Sequence, residues 1–257
     1  MSAWEVAAVL LAGVGAGTIN TIVGSGTLIT FPVLLAFGVP AVTANVSNTI
    51  GLVPGSLSGA LGYRRELKAQ GGRLLRLGTA ALLGGLLGAY VLVKLPSRAF
   101  TVIVPVLILL ALVLVVIQPR VARAMAVRRQ GGAGGDAGGG AEGPLLIAGV
   151  FLTSVYGGYF GAAQGVLLIA LMGMLLADDM QRLNAAKNVL ALIVDAVAAC
   201  FFLFASHIDW AAVGLIAVGS TLGGQLGARV GRRLPPPALR ATIVLVGLAA
   251  VTRLLVT

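Results

Sequence analysis

The chain has 257 residues, 58% of them hydrophobic and 10% charged, with 18 Lys and Arg against 8 Asp and Glu. A soluble domain carries about a quarter charged residues, so a water-exposed globule is excluded. Apolar runs of roughly 20 residues recur without the period-two alternation of a membrane barrel, which leaves a polytopic all-α membrane protein.

Hydropathy and breakers predict helices over 2–21, 25–38, 41–63, 74–93 and 98–118 in the first half. The second half repeats the pattern over 144–159, 165–177, 180–206, 209–231 and 237–256. The amino terminus has Glu5 and no basic segment, so it reads as the first helix of the mature protein rather than a signal peptide. Between the halves, QGGAGGDAGGGAEG (130–143) is a Gly-rich flexible linker. The expected division is therefore 1–118, a basic cytoplasmic linker over 119–143, and 144–257.

The excess positive charge sits in connectors. Arg64, Arg65, Lys68, Arg73 and Arg76 form one group, Arg120, Arg123, Arg128 and Arg129 a second, and Arg229, Arg232, Arg233 and Arg240 a third. By the positive-inside rule, 64–76, 118–143 and 229–236 are cytoplasmic, and the short connectors near 39–40, 94–97 and 207–208 lie outside. Such placement orients a membrane protein and gives no nucleic-acid surface. Cys200 is a lone cysteine in an apolar run, which excludes an internal disulfide and reads as a buried thiol.

A shift of 139 residues places Gly26 on Gly165 and Asn45 on Asn184. It also places Gly84, Gly85, Gly88 and Ala89 on Gly223, Gly224, Gly227 and Ala228, and Lys94-Leu95-Pro96 on Arg233-Leu234-Pro235. The Lys94 turn is outside and the Arg233 turn inside, so the expectation is two inverted five-segment repeats. Segments 25–38 and 165–177 each cover roughly 20 Å at about 1.5 Å per residue, short of a core about 30 Å thick. They are half-helices or members of re-entrant hairpins.

Each short helix follows a Gly-rich break: Gly24-Ser25-Gly26 in the first half, Gly161 to Gly165 in the second. Irregular backbone at membrane depth lines a cavity or is buried in protein. A helix starting there points free N–H groups and a partial positive charge at whatever lies ahead, which suits an anion. The GGxxGA patches at 84–89 and 223–228 read as close helix packing instead.

The helix after each short one carries a polar stripe. Asn184, Asn188 and Asp195 share a face with Lys187 on its flank, and the repeat partners are Asn45, Thr49 and Ser56, with Asn48 in place of Lys187. Any one Asn can be an interhelical hydrogen bond rather than a ligand contact. A carboxylate in mid-membrane costs about 2.5–3.5 kcal/mol unless it meets protein or water, so Asp195 either couples a proton or cation or pairs with a distant Arg. Lys187 either snorkels to the interface or closes on an anion from the cytoplasmic side. Ser25 and Gln164 occupy equivalent positions beside the breaks and offer donors. Tyr156 and Tyr159 read as aromatic packing, and His207 and Asp209 as the end of a helix.

The candidate substrate site thus comprises Asn20, Gly24, Ser25, Gly26, Asn45, Asn48, Thr49, Gln164, Gly165, Asn184, Lys187 and Asn188, with Asp195 for coupling. No cluster of His, Cys, Asp or Glu has metal-ligand spacing, and no Walker loop, GxSxG or HExxH occurs. The expectation includes no catalytic residue, no metal and no cofactor.

The stretch 16–66, with its Gly-rich break, an apolar run to Phe31-Pro32, the Gly38-Val39-Pro40 turn and a polar start to the next helix, resembles the sulfite exporter TauE/SafE family of membrane permeases. Residues 157–174 and 182–210 resemble the family's degenerate second copy, although AAQG at 162–165 replaces a glycine-richer turn. That resemblance implies transport of a small sulfur-containing oxyanion, sulfite or an organosulfonate. From the residues themselves, multi-pass placement in the inner or plasma membrane is expected, with the lipid bilayer and, through Asp195, a coupling H+ or Na+ as candidate partners. A passive anion channel is the alternative, and a membrane enzyme or structural partner a third; the sequence does not set an oligomeric state.

Overall fold

A computed structural model describes residues 2–130, 143–176 and 178–230 of the chain. The described residues form helices and no strand: α1 (Ala3–Ile22), α2 (Thr27–Ala36), α3 (Ala41–Gly62), α4 (Gly71–Lys94), α5 (Ser97–Gln130), α6 (Pro144–Tyr159), α7 (Gln164–Leu175), α8 (Met180–Ala205) and α9 (Trp210–Val230). The expected helix over 237–256, the Arg233 turn and most of the Gly-rich linker lie outside the described residues. The fifth helix runs to Gln130, past its expected end at 118. Local chemistry accounts for the extension: 120–129 holds Ala, Arg and Met and no glycine, so it propagates a helix as well as it orients one.

Local signals set several helix ends. Pro144 occupies the first turn of α6, where its missing N–H costs nothing. Asp179 caps α8 by accepting the Gln181 amide at 2.8 Å, and Asp209 caps α9 by accepting the Ala212 amide at 3.0 Å. At the end of α1 the amides of Val23 and Gly24 both donate to the Ile19 carbonyl, at 2.7 and 3.0 Å, and Gly24 takes a φ of 87°. The end of α6 is built alike: Phe160 and Gly161 donate to the Tyr156 carbonyl at 2.9 and 3.2 Å, and Gly161 has a φ of 75°.

These two turns make hairpins. In the first, Trp4 stacks edge-on against Phe37 at 4.9 Å near the base, while Gly26 at the tip abuts the Ala16 carbonyl. In the second, Gly149 meets Leu171 near the base and Gly157 meets Gln164 at the tip. The short helices are therefore the returning arms of helical hairpins.

Small residues then bring long helices into backbone contact. A β-carbon on Gly17 would lie 2.2 Å from the Ser220 carbonyl oxygen, and one on Gly88 would lie 2.0 Å from that of Val155. Hence α9 packs on α1 and α3, and α4 packs on α6 and α8, so each half contributes its fourth helix to the other half. Both GGxxGA patches serve this packing. The contacts also fix directions. Residues 13 and 17 of α1 meet 216 and 220 of α9, and 51, 55 and 62 of α3 meet 216, 220 and 228, so α1, α3 and α9 run together. In the other group, 84 and 88 of α4 meet 151 and 155 of α6. Between the groups, Ser56 meets Asp195 while Tyr63 clusters with Ala185, so α3 and α8 run oppositely.

Five described helices are long and apolar enough to cross a membrane: Ala3–Ile22, Gly71–Lys94, Ser97–Ile117, Met180–Ala205 and Trp210–Arg229. The bundle is apolar outside, with Leu75, Val102, Val106 and Phe204 exposed, and polar within, with Ser47, Asn48 and Lys187 fully buried. That inversion of the soluble pattern suits a lipid solvent. Cys200 lies on the exposed surface, which corrects the buried-thiol expectation: it faces outward from α8 among lipid-compatible side chains. The chain is a multi-pass membrane protein.

Candidate functional site

The hairpin tips meet. The Gly165 amide donates to the Gly24 carbonyl at 3.1 Å, and a β-carbon on Gly24 would lie 2.3 Å from the Gly165 Cα. Both residues are buried, so two polar turns are enclosed at the crossing of α1, α2, α6 and α7. The α3 and α8 polar stripes line this crossing.

The carbonyl end of α1 is held from α8. Lys187 is fully buried and its Nζ donates to the Asn20 and Thr21 carbonyls at 2.9 and 3.0 Å. This overturns the snorkelling alternative: the ammonium turns inward to the negative end of a helix dipole. Asn188 and Asn184 also donate to the Thr21 carbonyl, at 3.3 and 3.4 Å. A carbonyl oxygen has two lone pairs, so three donors oversubscribe it and leave hydrogen-bonding capacity for a solute. Across the repeat, Asn45 of α3 donates to the Tyr159 carbonyl at 3.0 Å, the matching end of α6.

Other predicted residues bond to side chains or backbone around the crossing. Asn48 donates to the Thr27 hydroxyl at 3.2 Å and accepts from Thr30, so its amide ties α3 to α2. The Thr49 hydroxyl bonds back to the Asn45 carbonyl at 2.9 Å, within its own helix. Asp195 has as its hydrogen-bond partner Ser56, which donates to the carboxylate at 2.8 Å; Asn20 donates in turn to Ser56 at 3.2 Å. Asp195 is thereby linked through Ser56 and Asn20 to the carbonyl end that Lys187 holds. Ser56 and Asp195 are repeat partners, 139 residues apart. Tyr156, expected only to pack, donates its hydroxyl to the Ala162 carbonyl inside the second turn. Sequence reasoning missed Thr21, Thr27 and Thr30, whose roles rest on a backbone carbonyl or on a hydroxyl pairing that spacing does not display.

Unpaired groups gather at the tips. Ser25 Oγ, Gln164 Nε2, Asn45 Oδ1, Asn184 Oδ1 and Tyr159 Oη are buried without a hydrogen-bond partner. Ser25 and Gln164 are repeat partners, as are Asn45 and Asn184. The amides of Ser25, Gly26 and Thr27 also have no partner among the described residues. In the second tip, the amides of Gln164, Gly165, Val166 and Leu167 are all engaged. No group of three or more His, Cys, Asp or Glu among the described residues is placed to hold a metal ion.

Two contacts close the hairpin arms onto their neighbours. In one, Phe31, Phe100 and Phe160 pack edge-to-face with centroids 5.3 to 6.4 Å apart. In the other, Asp178 pairs with Arg73 and with Arg182, the latter at 2.8 Å, while Arg182 reaches the Lys68 carbonyl at 3.3 Å. Burial alone would push the Asp178 carboxyl up, but hydrogen bonds from Arg73, the Asp179 amide and Arg182 outweigh it and hold the group below the ordinary carboxylate range.

A family model described as "Sulfite exporter TauE/SafE" matches residues 9–254. The probable membrane transporter protein YfcA of Escherichia coli (strain K12) is 25% identical over 248 residues, which cover 93% of this chain and 86% of the relative. A probable membrane transporter protein of Haemophilus influenzae is 24% identical over 221 residues, covering 85% and 82%. The probable membrane transporter protein ORF9 of Sinorhizobium sp is 26% identical over 247 residues, covering 93% and 88%. No solved structure matches the chain significantly. With nearly its whole length matched by the family model, the chain belongs to the TauE/SafE sulfite exporter family and is a membrane transporter of that type rather than an enzyme.

Proposed function

We propose that this protein is a secondary transporter for a small sulfur-containing oxyanion, sulfite or an organosulfonate. It works by alternating access between inverted repeats over 1–118 and 144–257, joined by the linker 119–143. The observation that carries the reading is the first hairpin tip. Three successive amides, Ser25, Gly26 and Thr27, and the Ser25 hydroxyl are buried without partners among the described residues, and they follow directly on the helix end whose Asn20 and Thr21 carbonyls Lys187 holds. Unpaired donors and a cation in a water-poor site are costly unless an anion completes them. The opposite directions of α3 and α8, and the matched hairpins, support the inverted arrangement. The interleaving of α4 and α9 implies that the moving bodies are exchanged sets, α1 and α3 with α9 against α6 and α8 with α4. Asp195, joined to the α1 end through Ser56 and Asn20, is the group we assign to proton or sodium coupling.

Sulfite flux into loaded proteoliposomes tests the reading. The parent protein is expected to carry it, with Asn45→Ala and Asn184→Ala reduced at least about tenfold. Equal flux in protein-free vesicles defeats the proposal. A passive channel would instead conduct unitary currents in a planar bilayer.

A further inference from the structure

We infer that the solute bound at the crossing is a monoanion carrying a hydrogen-bond donor of its own, such as a protonated oxyanion or a hydroxyl- or amine-bearing sulfonate. This rests on the anion-site reading above and narrows it. The key atom is Asn45 Oδ1. An amide must turn its nitrogen toward a carbonyl, and Asn45 Nδ2 donates to the Tyr159 carbonyl, so the orientation is fixed and the unpaired atom is an acceptor. Asn45 is 1% exposed, so its oxygen faces the interior of the protein. Its repeat partner Asn184 presents an unpaired Oδ1 in the same way.

Both amides are anchored at the hairpin ends that carry the unpaired donors, Asn45 on the Tyr159 carbonyl and Asn184 on the Thr21 carbonyl, and the Gly165 amide joins the two tips at the Gly24 carbonyl. Asn45 precedes by three residues, or about one helical turn, Asn48, which grips Thr27 at the first tip. Thr27 Oγ1 in turn lies 3.9 Å from where a β-carbon on Gly161 would sit, in the second tip. A bare oxyanion satisfies the Ser25, Gly26 and Thr27 donors and leaves both amide oxygens unmet. A solute with a donor meets both kinds of group at once. The charge is bounded by the basic groups: Lys187 is the one buried basic side chain among the described residues, and two carbonyls already share its Nζ, so the site offers at most one positive charge, which suits one negative charge better than two.

The test compares ethanesulfonate with 2-hydroxyethanesulfonate, which share a charge and nearly a size, by their dissociation constants for the purified protein. Sulfate serves as the dianion and hydrogensulfite as a small protonated monoanion. The hydroxylated sulfonate is expected to bind at least about tenfold more tightly, because the analogue leaves a buried acceptor unpaired. Sulfate is expected to be weaker than either. The preference is read on the unmodified protein, so it survives a poorly folding variant; in Asn45→Ala the ratio should fall toward one. Equal affinity for the two sulfonates, or tighter sulfate, overturns this inference and leaves the anion site standing. If none of the four anions binds, the anion-site reading falls and the inference with it.

Discussion

The two hairpin tips share a backbone and differ in chemistry. Each ends its long helix with two amides on one carbonyl and a left-handed glycine, and each turns back into a short helix. The first tip leaves the Ser25, Gly26 and Thr27 amides open, and its helix end is held by an ammonium. The second has its first-turn α7 amides engaged, contains Ala163 at a φ of 60°, and has its helix end held by the neutral Asn45. The two tips thus share a frame while the charged groups sit on one helix: α8 has Lys187 and Asp195 where, at a shift of 139 residues, α3 has Asn48 and Ser56. Binding and coupling are expected to divide unequally between the halves for that reason.

The largest difference concerns folding. In Gly24→Ala the new methyl group would overlap the Gly165 Cα, and the φ of 87° strains any L side chain. We expect loss of folded protein, or at least about 3 kcal/mol of destabilisation. In Gly161→Ala the nearest atom would lie 3.1 Å away, so mainly the φ of 75° is penalised, at about 1–2 kcal/mol. Melting curves in detergent separate them, and equal melting points would show that the tips do not pack through Gly24 and Gly165.

Next comes the exchange between Lys187 and Asn48. Lys187→Met is expected to lower sulfite flux at least about a hundredfold, since the site loses its charge and two helix-end carbonyls lose a donor. Asn48→Ala breaks the tie from α3 to Thr27 and Thr30, which should appear as about 1–3 kcal/mol of stability with a smaller effect on flux per folded molecule. Similar flux losses in both variants would mean that the asymmetry is not functional.

The breaks were legible because glycine clusters at matching positions announce themselves in composition, and so did the α3 and α8 stripes, whose spacing is helical. The partner of Lys187 was not legible, because its acceptors are main-chain carbonyls that every residue owns. The Asn48 contacts were not legible either: nothing in spacing shows that Thr27 and Thr30 engage its amide. The sequence did signal close packing at the GGxxGA patches, but not that α4 would choose α6 and α9 would choose α1, since pairing in the bundle depends on shape across the two halves. Cys200 misled because an apolar run in a membrane helix marks lipid contact as readily as burial.

Asp195 sharpens the comparison at a third level. Its counterpart Ser56 donates to it directly, so at this position a neutral residue of one half meets an acid of the other. In Asp195→Asn the flux is expected to persist at a few-fold lower rate and to lose its dependence on external pH and sodium. Ser56→Ala should shift that dependence without abolishing it. If Asp195→Asn keeps the parent's pH and sodium profile, coupling resides elsewhere.

The smallest effect lies at the closure beside α8, where Asp178 joins Arg73 and Arg182. Because its folded-state carboxyl is held below the ordinary range, the network's stability is fully present above the unfolded-state value and is lost as pH falls through the folded one. Asp178→Asn should therefore cost about 1 kcal/mol or less near neutral pH and nothing in strong acid, with the parent and variant melting curves converging as pH drops below about 4. The second half has this ionic latch beside α7, whereas the first-half arm α2 packs against Phe100 and Phe160 through Phe31. Raised salt should accordingly weaken the closure at α7 and leave the one at α2 unchanged, so salt-dependent accessibility of a cysteine introduced beside Arg73, compared with one beside Phe31, reads the two closures separately.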